Sequence, residues 1–166
     1  MATLKKRIGF GQVEPNHLSA QRTAQIYAQL PAAEDIEVLE NGQYVKYDYA
    51  NGEVNTTGAG EWMLVFNEIK LYDDRKQMYR DYAMQKADFV DGVMVPRVFK
   101  TNIGDIYTTN CIAGLDKGDL DLNAGDILTV NDDGYLEVGT GDIEWEVAKV
   151  YTLADGQDAV KIMRVK

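Results

Sequence analysis

The chain holds one cysteine, Cys111, and one histidine, His17. A thiolate nucleophile needs a neighbouring base or positive charge to generate it. Cys111 follows Asn110 in a strand-like run that supplies neither, so it reads as a small buried hydrophobe. His17 stands next to Asn16 with no obvious serine or cysteine partner, and reads as a hydrogen-bonded structural residue. One cysteine also excludes an internal disulfide framework and every multi-cysteine zinc site. Carboxylates are the remaining reagents. Asp116, Asp119, Asp121, Asp126, Asp132 and Asp133 are dense enough to suggest calcium, which takes oxygen ligands. Their spacing fits no EF-hand loop, because Asn131-Asp132-Asp133-Gly134 lacks the downstream glutamate, and acidic turn residues are the better reading. Whether the loop at 114–126 binds calcium stays open. Glu144 and Glu146 share one strand face, which suits a glycosidase pair and alternating surface charge equally. No catalytic residue, metal or cofactor is expected.

The elements that would position these groups are mainly β. Asn41-Gly42 between Ile36–Glu40 and Gln43–Tyr49 predicts a hairpin, since Asn-Gly readily supplies the positive φ angles of a tight turn. Trp62 to Tyr72 reads as a buried strand turning amphipathic. Residues 52–60 read as a polar loop. From Asp73 to Phe89 the apolar period shifts toward helical: Met78 with Tyr82 and Tyr79 with Ala83 form stripes, behind Asp73 and Asp74 at the start. Ser19 could cap a second short helix, or the stretch 9–30 could lie extended over a neighbour. Strands resume at Val93–Phe99 and Ile106–Ile112. A second hairpin joins Asp126–Val130 to Tyr135–Val138, and Ile143, Trp145, Val147 and Tyr151 alternate with Glu144, Glu146 and Ala148 as in a half-buried strand. Asp155-Gly156 then turns the chain into a last strand, Ala159 to Val165. The fold class expected is a small β-barrel or β-sandwich with one short helix and an N-terminal arm.

Charge divides the chain. The net charge is −10, yet residues 1–30 carry four cations, Lys5, Lys6, Arg7 and Arg22, against Glu14 alone. Subtracting that +3 from −10 leaves −13 for the remainder. Such a body repels nucleic acid and anionic membrane, because neutralising phosphates is what drives that binding. A basic arm on an acidic body suits docking onto an acidic protein surface; a solvated terminus explains the same cations. The expected organisation is an arm at 1–30 and a β-rich domain at 31–166. No stretch is apolar enough to span a bilayer or to form a signal peptide, so a cytosol-like compartment is expected.

Two internal echoes appear. Ala33-Glu34-Asp35-Ile36 leading through Asn41-Gly42 to Glu61-Trp62 is matched by Ala124-Gly125-Asp126-Ile127 leading through Asp133-Gly134 to Glu144-Trp145. Two related β units, 33–72 and 124–153, would follow, with a helical insertion at 73–89. The shorter echo sets Gly104-Asp105-Ile106 against Gly125-Asp126-Ile127, and reads as turn punctuation ahead of a strand. Among the aromatics, Tyr44, Tyr47, Tyr49, Trp62, Tyr72 and Trp145 sit in strand patterns. Core packing is their chief role there, with a subunit interface or a sugar-stacking platform as functional alternatives.

The run Leu30-Pro31-Ala32-Ala33-Glu34-Asp35-Ile36 with its Asn-Gly turn, then Asn123-Ala124-Gly125-Asp126-Ile127-Leu128 to Asp133-Gly134 and the closing Ala154-Asp155-Gly156-Gln157 strand, resembles head decoration proteins of tailed bacteriophages. That resemblance implies a non-enzymatic virion protein, made in the host cytoplasm, that cements the outside of a capsid, commonly as a homotrimer. Its partners would be the major capsid protein and itself, without nucleic acid or membrane. The docking arm would use Lys5, Lys6, Arg7, Asn16, His17, Arg22 and Tyr27; Tyr44, Tyr47, Tyr49, Trp62 and Trp145 would serve a subunit interface. The chain is longer than that family, with residues 73–89 lying between the echoes. The alternative is a carbohydrate- or host-surface-binding β module of a phage particle, and a carboxylate-based hydrolase is a distant third.

Overall fold

The computed structural model describes residues 2–15, 26–67, 82–118 and 120–166. In chain order its strands are β1 (Ala2–Leu4), β2 (Val13–Glu14), β3 (Ile26–Tyr27), β4 (Val38–Glu40), β5 (Tyr44–Asp48), β6 (Glu53–Asn55), β7 (Met63–Val65) and β8 (Ala83–Gln85), followed by β9 (Val98–Phe99), β10 (Ile106–Thr109), β11 (Leu120–Leu122), β12 (Ile127–Val130), β13 (Leu136–Val138), β14 (Trp145–Thr152) and β15 (Asp158–Arg164). They form a six-stranded sheet, β13-β12-β14-β15-β10-β2, and a five-stranded sheet, β3-β9-β7-β5-β6, with the pairs β1-β11 and β4-β8 beside them. Every pairing between these strands is antiparallel. The protein is thus mainly β, and none of the described sheets closes into a barrel.

Alternation along the strands builds two cores. Tyr44, Leu64 and Phe99 of the five-stranded sheet share a cluster with Tyr107, Leu128, Leu136, Trp145, Val147, Val160 and Ile162 of the six-stranded sheet. Their sequence neighbours Val45, Met63, Val65 and Val98 point the other way, into a second cluster with Leu39 and Met84 of the β4-β8 pair. The middle of the five-stranded sheet is therefore buried on both faces, which is why β7 is apolar at every position rather than alternating.

Local turn chemistry decides several connections. Asn102 and Asn123 each receive the same treatment. The Asn102 N–H donates to Asp105 Oδ2 at 2.8 Å and the Asn123 N–H to Asp126 Oδ2 at 2.7 Å, with Gly104 and Gly125 at φ +92° and +94°. The shorter echo is one turn used twice, each time launching a strand. The β12-β13 and β14-β15 hairpins also form as the turn residues predict.

Four expectations are corrected. Asn41-Gly42 does make a tight turn, with the Gln43 N–H donating to the Glu40 carbonyl at 3.2 Å, but the strands it joins part: β4 pairs with β8, and β5 with β6 and β7. The two longer echoes consequently differ in strand pairing. Residues 52–60 and 114–125, expected as loops, contribute β6 and β11. In β14 a register shift between Val147 and Lys149 reverses the alternation, so Tyr151 leaves the face of Trp145 and instead lies under the Lys161 ammonium, 5.8 Å from its ring centroid. Of the helix expected at 73–89, the described end is strand β8 followed by a single 3-10 turn, Lys86–Asp88, while 73–81 lie outside the described residues. Pairing of Leu39 with Met84 across β4-β8 buries both side chains and fixes β8 as strand.

The described parts of the N-terminal segment pair with strands of the body. β1 pairs with β11 and places Leu4 in the first cluster; β2 forms the edge of the six-stranded sheet against β10; β3 forms the edge of the five-stranded sheet against β9. Strand pairing, together with the burial of Leu4, thus ties the described parts of this segment to the sheets.

Candidate functional site

The N-terminal segment brings Arg7 under the turn at residues 40–42. Its N–H donates to the Leu115 carbonyl at 2.9 Å, and its guanidinium reaches Glu40 through both terminal nitrogens. Glu40 also accepts from the Gly11 N–H at 2.6 Å and from the Tyr135 hydroxyl at 2.8 Å. Arg7 and Glu40 are each 7% exposed. Burial by itself would lower the Arg7 pKa, but the hydrogen bond and charge of Glu40 outweigh it and hold Arg7 above its ordinary value. Arg7 is thus a structural cation, unavailable for docking, in contrast to its expected role in the arm. Lys5 and Lys6 beside it are exposed.

Cys111 lies against this knot. A Cβ on Gly11 would stand 2.9 Å from Cys111 Sγ and 2.5 Å from the Asn41 carbonyl oxygen, so only glycine allows the approach. Burial pushes the thiol pKa far up and the Glu40 charge raises it further; the opposing pull of Arg7 is smaller. Burial and Glu40 likewise raise the Tyr135 phenol. These groups are held in their protonated forms, which suits a structural knot rather than nucleophilic or acid-base chemistry.

The five aromatics expected at an interface separate. Tyr44 and Trp145 are fully buried, with the Tyr44 and Tyr107 hydroxyls 2.6 Å apart and the Tyr107 ring edge-on to Trp145. Tyr47 and Trp62 are nearly so. Only Tyr49, at 76%, is open to solvent. Tyr27 joins this set unexpectedly: Tyr27, Tyr47 and Tyr49 stack edge to face with centroids 5.6 and 5.5 Å apart, a row of rings running from β3 to the tip after β5. Asn16, His17, Arg22 and Tyr72 lie outside the described residues.

Two surface features were not singled out from the sequence. An open pocket of about 510 Å³ is lined by Lys46, Trp62, Asn131, Asp133, Glu137 and Asp142 among others, with the Lys46 ammonium 4.3 Å above the Trp62 ring. Strand parity was the available signal, since Lys46 falls on the same face of β5 as buried Tyr44. The second feature is apolar. The chain from β3 to Ala32 runs antiparallel to 94–99, with Ile26 opposite Phe99 and the Ala32 N–H donating to the Met94 carbonyl at 2.7 Å. Ile26 on the edge strand and Val93 and Val95 on the segment beside it are exposed, while Met94 between the valines is buried. Alternation of valine with buried methionine is legible in the sequence; its place at a sheet edge is not. Among the described residues no group of three histidine, cysteine or carboxylate side chains is gathered to hold a metal, and no helix is long and apolar enough to cross a membrane.

Comparison with protein families, curated proteins and solved structures finds no match to this chain.

Proposed function

We propose that this chain is a non-enzymatic virion structural protein that binds the outside of a phage capsid and stabilises it, built as a β-sandwich and assembling as a homotrimer. The observation that carries the reading is the apolar edge of Ile26, Val93 and Val95 on a strongly acidic molecule. Exposed apolar side chains on and beside a sheet's edge strand suit a protein surface, which would take them out of water. The resemblance of the Leu30–Ile36, Asn123–Gly134 and Ala154–Gln157 segments to head decoration proteins points the same way. So does the internal use of Cys111, Arg7, Glu40 and Tyr135. With strands at residues 2–4, 13–14 and 26–27 paired into the sheets, docking falls to the body's surface and to Lys5 and Lys6. Co-sedimentation with capsids assembled without the protein tests the reading: saturable binding that raises capsid resistance to heat supports it, and recovery of the chain in the supernatant at every concentration overturns it.

One observation favours a carbohydrate-binding role instead. The pocket beside Trp62 gathers carboxylate, amide and hydroxyl side chains that could hydrogen-bond sugar hydroxyls. Binding on a glycan array that Asp142→Ala abolishes would support that role.

A further inference from the structure

The sequence contains Asn-Gly twice, at Asn41-Gly42 and Asn51-Gly52, and the fold gives the two pairs opposite surroundings. In Asn-Gly the glycine amide nitrogen can attack the asparagine side chain with no Cβ in the way. Reaction requires the asparagine Cγ and the following amide to approach each other, so it depends on local freedom. We propose that Asn51 is a site of spontaneous covalent modification, deamidating in the folded protein while Asn41 is protected.

Asn51 and Gly52 are both exposed in the turn between β5 and β6. Gly52 sits at φ +70° and a Cβ there would meet nothing within 4 Å, so nothing crowds the backbone that must move. Among the described residues the Asn51 side chain is held by its own turn, through donation from Nδ2 to Asp48 Oδ2 at 2.9 Å. At the other pair, Asn41 is 1% exposed and its Oδ1 accepts from the Asn67 N–H at 2.7 Å. The Gly42 N–H, which would have to attack, donates to the Val65 carbonyl at 2.9 Å, and Gly42 lies against Cys111 and Thr109.

In the reaction the Gly52 amide gives its proton to hydroxide and its nitrogen bonds to Asn51 Cγ. The Cγ–Nδ2 bond breaks, and the nitrogen leaves as ammonia after taking a proton from water. Water then opens the cyclic imide at either carbonyl, leaving aspartate or isoaspartate at position 51. Either product replaces the donor to Asp48 with a second negative charge beside it, and isoaspartate also lengthens the backbone. The turn that presents Tyr49 is therefore altered with time, so the modification changes an exposed surface rather than the core.

Peptide mapping by mass spectrometry tests this on the full chain, held folded at mildly alkaline pH and, in parallel, unfolded in urea. In the folded chain the peptide holding Asn51 should gain the mass of an amide-to-acid change at least about tenfold faster than the peptide holding Asn41, because the latter must first open locally. In urea the two rates should converge. Asn51→Gln should remove the fast conversion and the isoaspartate that accompanies it. Equal rates in the folded chain, or an intact Asn51 while Asn41 converts in urea, would overturn the proposal.

Discussion

Arg7 and Glu40, in contact across 33 residues of sequence, form a buried ion pair that ties the N-terminal segment to the turn after β4. Two charges removed from water are tolerated here because Gly11 and Tyr135 supply further hydrogen bonds to the same carboxylate. Arg7→Ala would strand Glu40 in the interior, and an unfolding midpoint shift worth about 3–5 kcal/mol is expected in urea. Arg7→Met combined with Glu40→Leu should recover much of that loss.

The Tyr44 and Tyr107 hydroxyls satisfy one another inside the first cluster. Tyr44→Phe should cost about 1–3 kcal/mol by leaving the Tyr107 hydroxyl buried and unpaired. The double change to phenylalanine should cost less than the two single changes added together, read from a double-mutant cycle in denaturant.

Alkali should unfold the protein through its tyrosines. Burial is the first cause raising Tyr47 from 10.0 to about 12, and burial also raises Tyr44, Tyr107 and Tyr135. Because the folded-state value exceeds the unfolded one, the contribution of Tyr47 is complete below about pH 10 and is lost as pH rises through about 12. Part of the tyrosinate absorbance should appear only together with loss of the far-ultraviolet β signal.

Cys111 should react slowly with thiol reagents in the native state and rapidly in urea, since it is fully buried and its thiol is held protonated. Gly11→Ala, which forces a Cβ against Asn41 and Cys111, should destabilise by about 1–3 kcal/mol and accelerate that labelling.

If Lys5 and Lys6 assist capsid docking, reversing both to glutamate should weaken co-sedimentation most at low ionic strength, where charges act over longer distances. Ile26→Asp with Val95→Asp should abolish it at every salt concentration. Unchanged binding by the second variant would remove the apolar edge from the docking surface.

Turns whose chemistry lies within four residues were legible. Asn102 to Asp105 and Asn123 to Asp126 form their turns from their own side chains, and the β12-β13 and β14-β15 hairpins follow from the glycines between them. Burial of Cys111 was also readable, since no neighbouring base or charge stood in its sequence to make it a nucleophile. Asn41-Gly42 marks the limit: the turn is there, but which strand lies beside β4 is decided by the burial of Leu39 against Met84, 45 positions away.

By itself, then, the amino-acid sequence determined a mainly β protein with several of its local turns in place. Tertiary structure alone decided that Arg7 is interior while Lys5 and Lys6 remain outside, that β1, β2 and β3 join three different partners, and that Tyr151 turns away from Trp145. A turn depends on backbone angles and side-chain bonds within a few residues. Pairing between distant strands depends on which apolar faces can be buried together, a property of the whole chain that no local pattern carries.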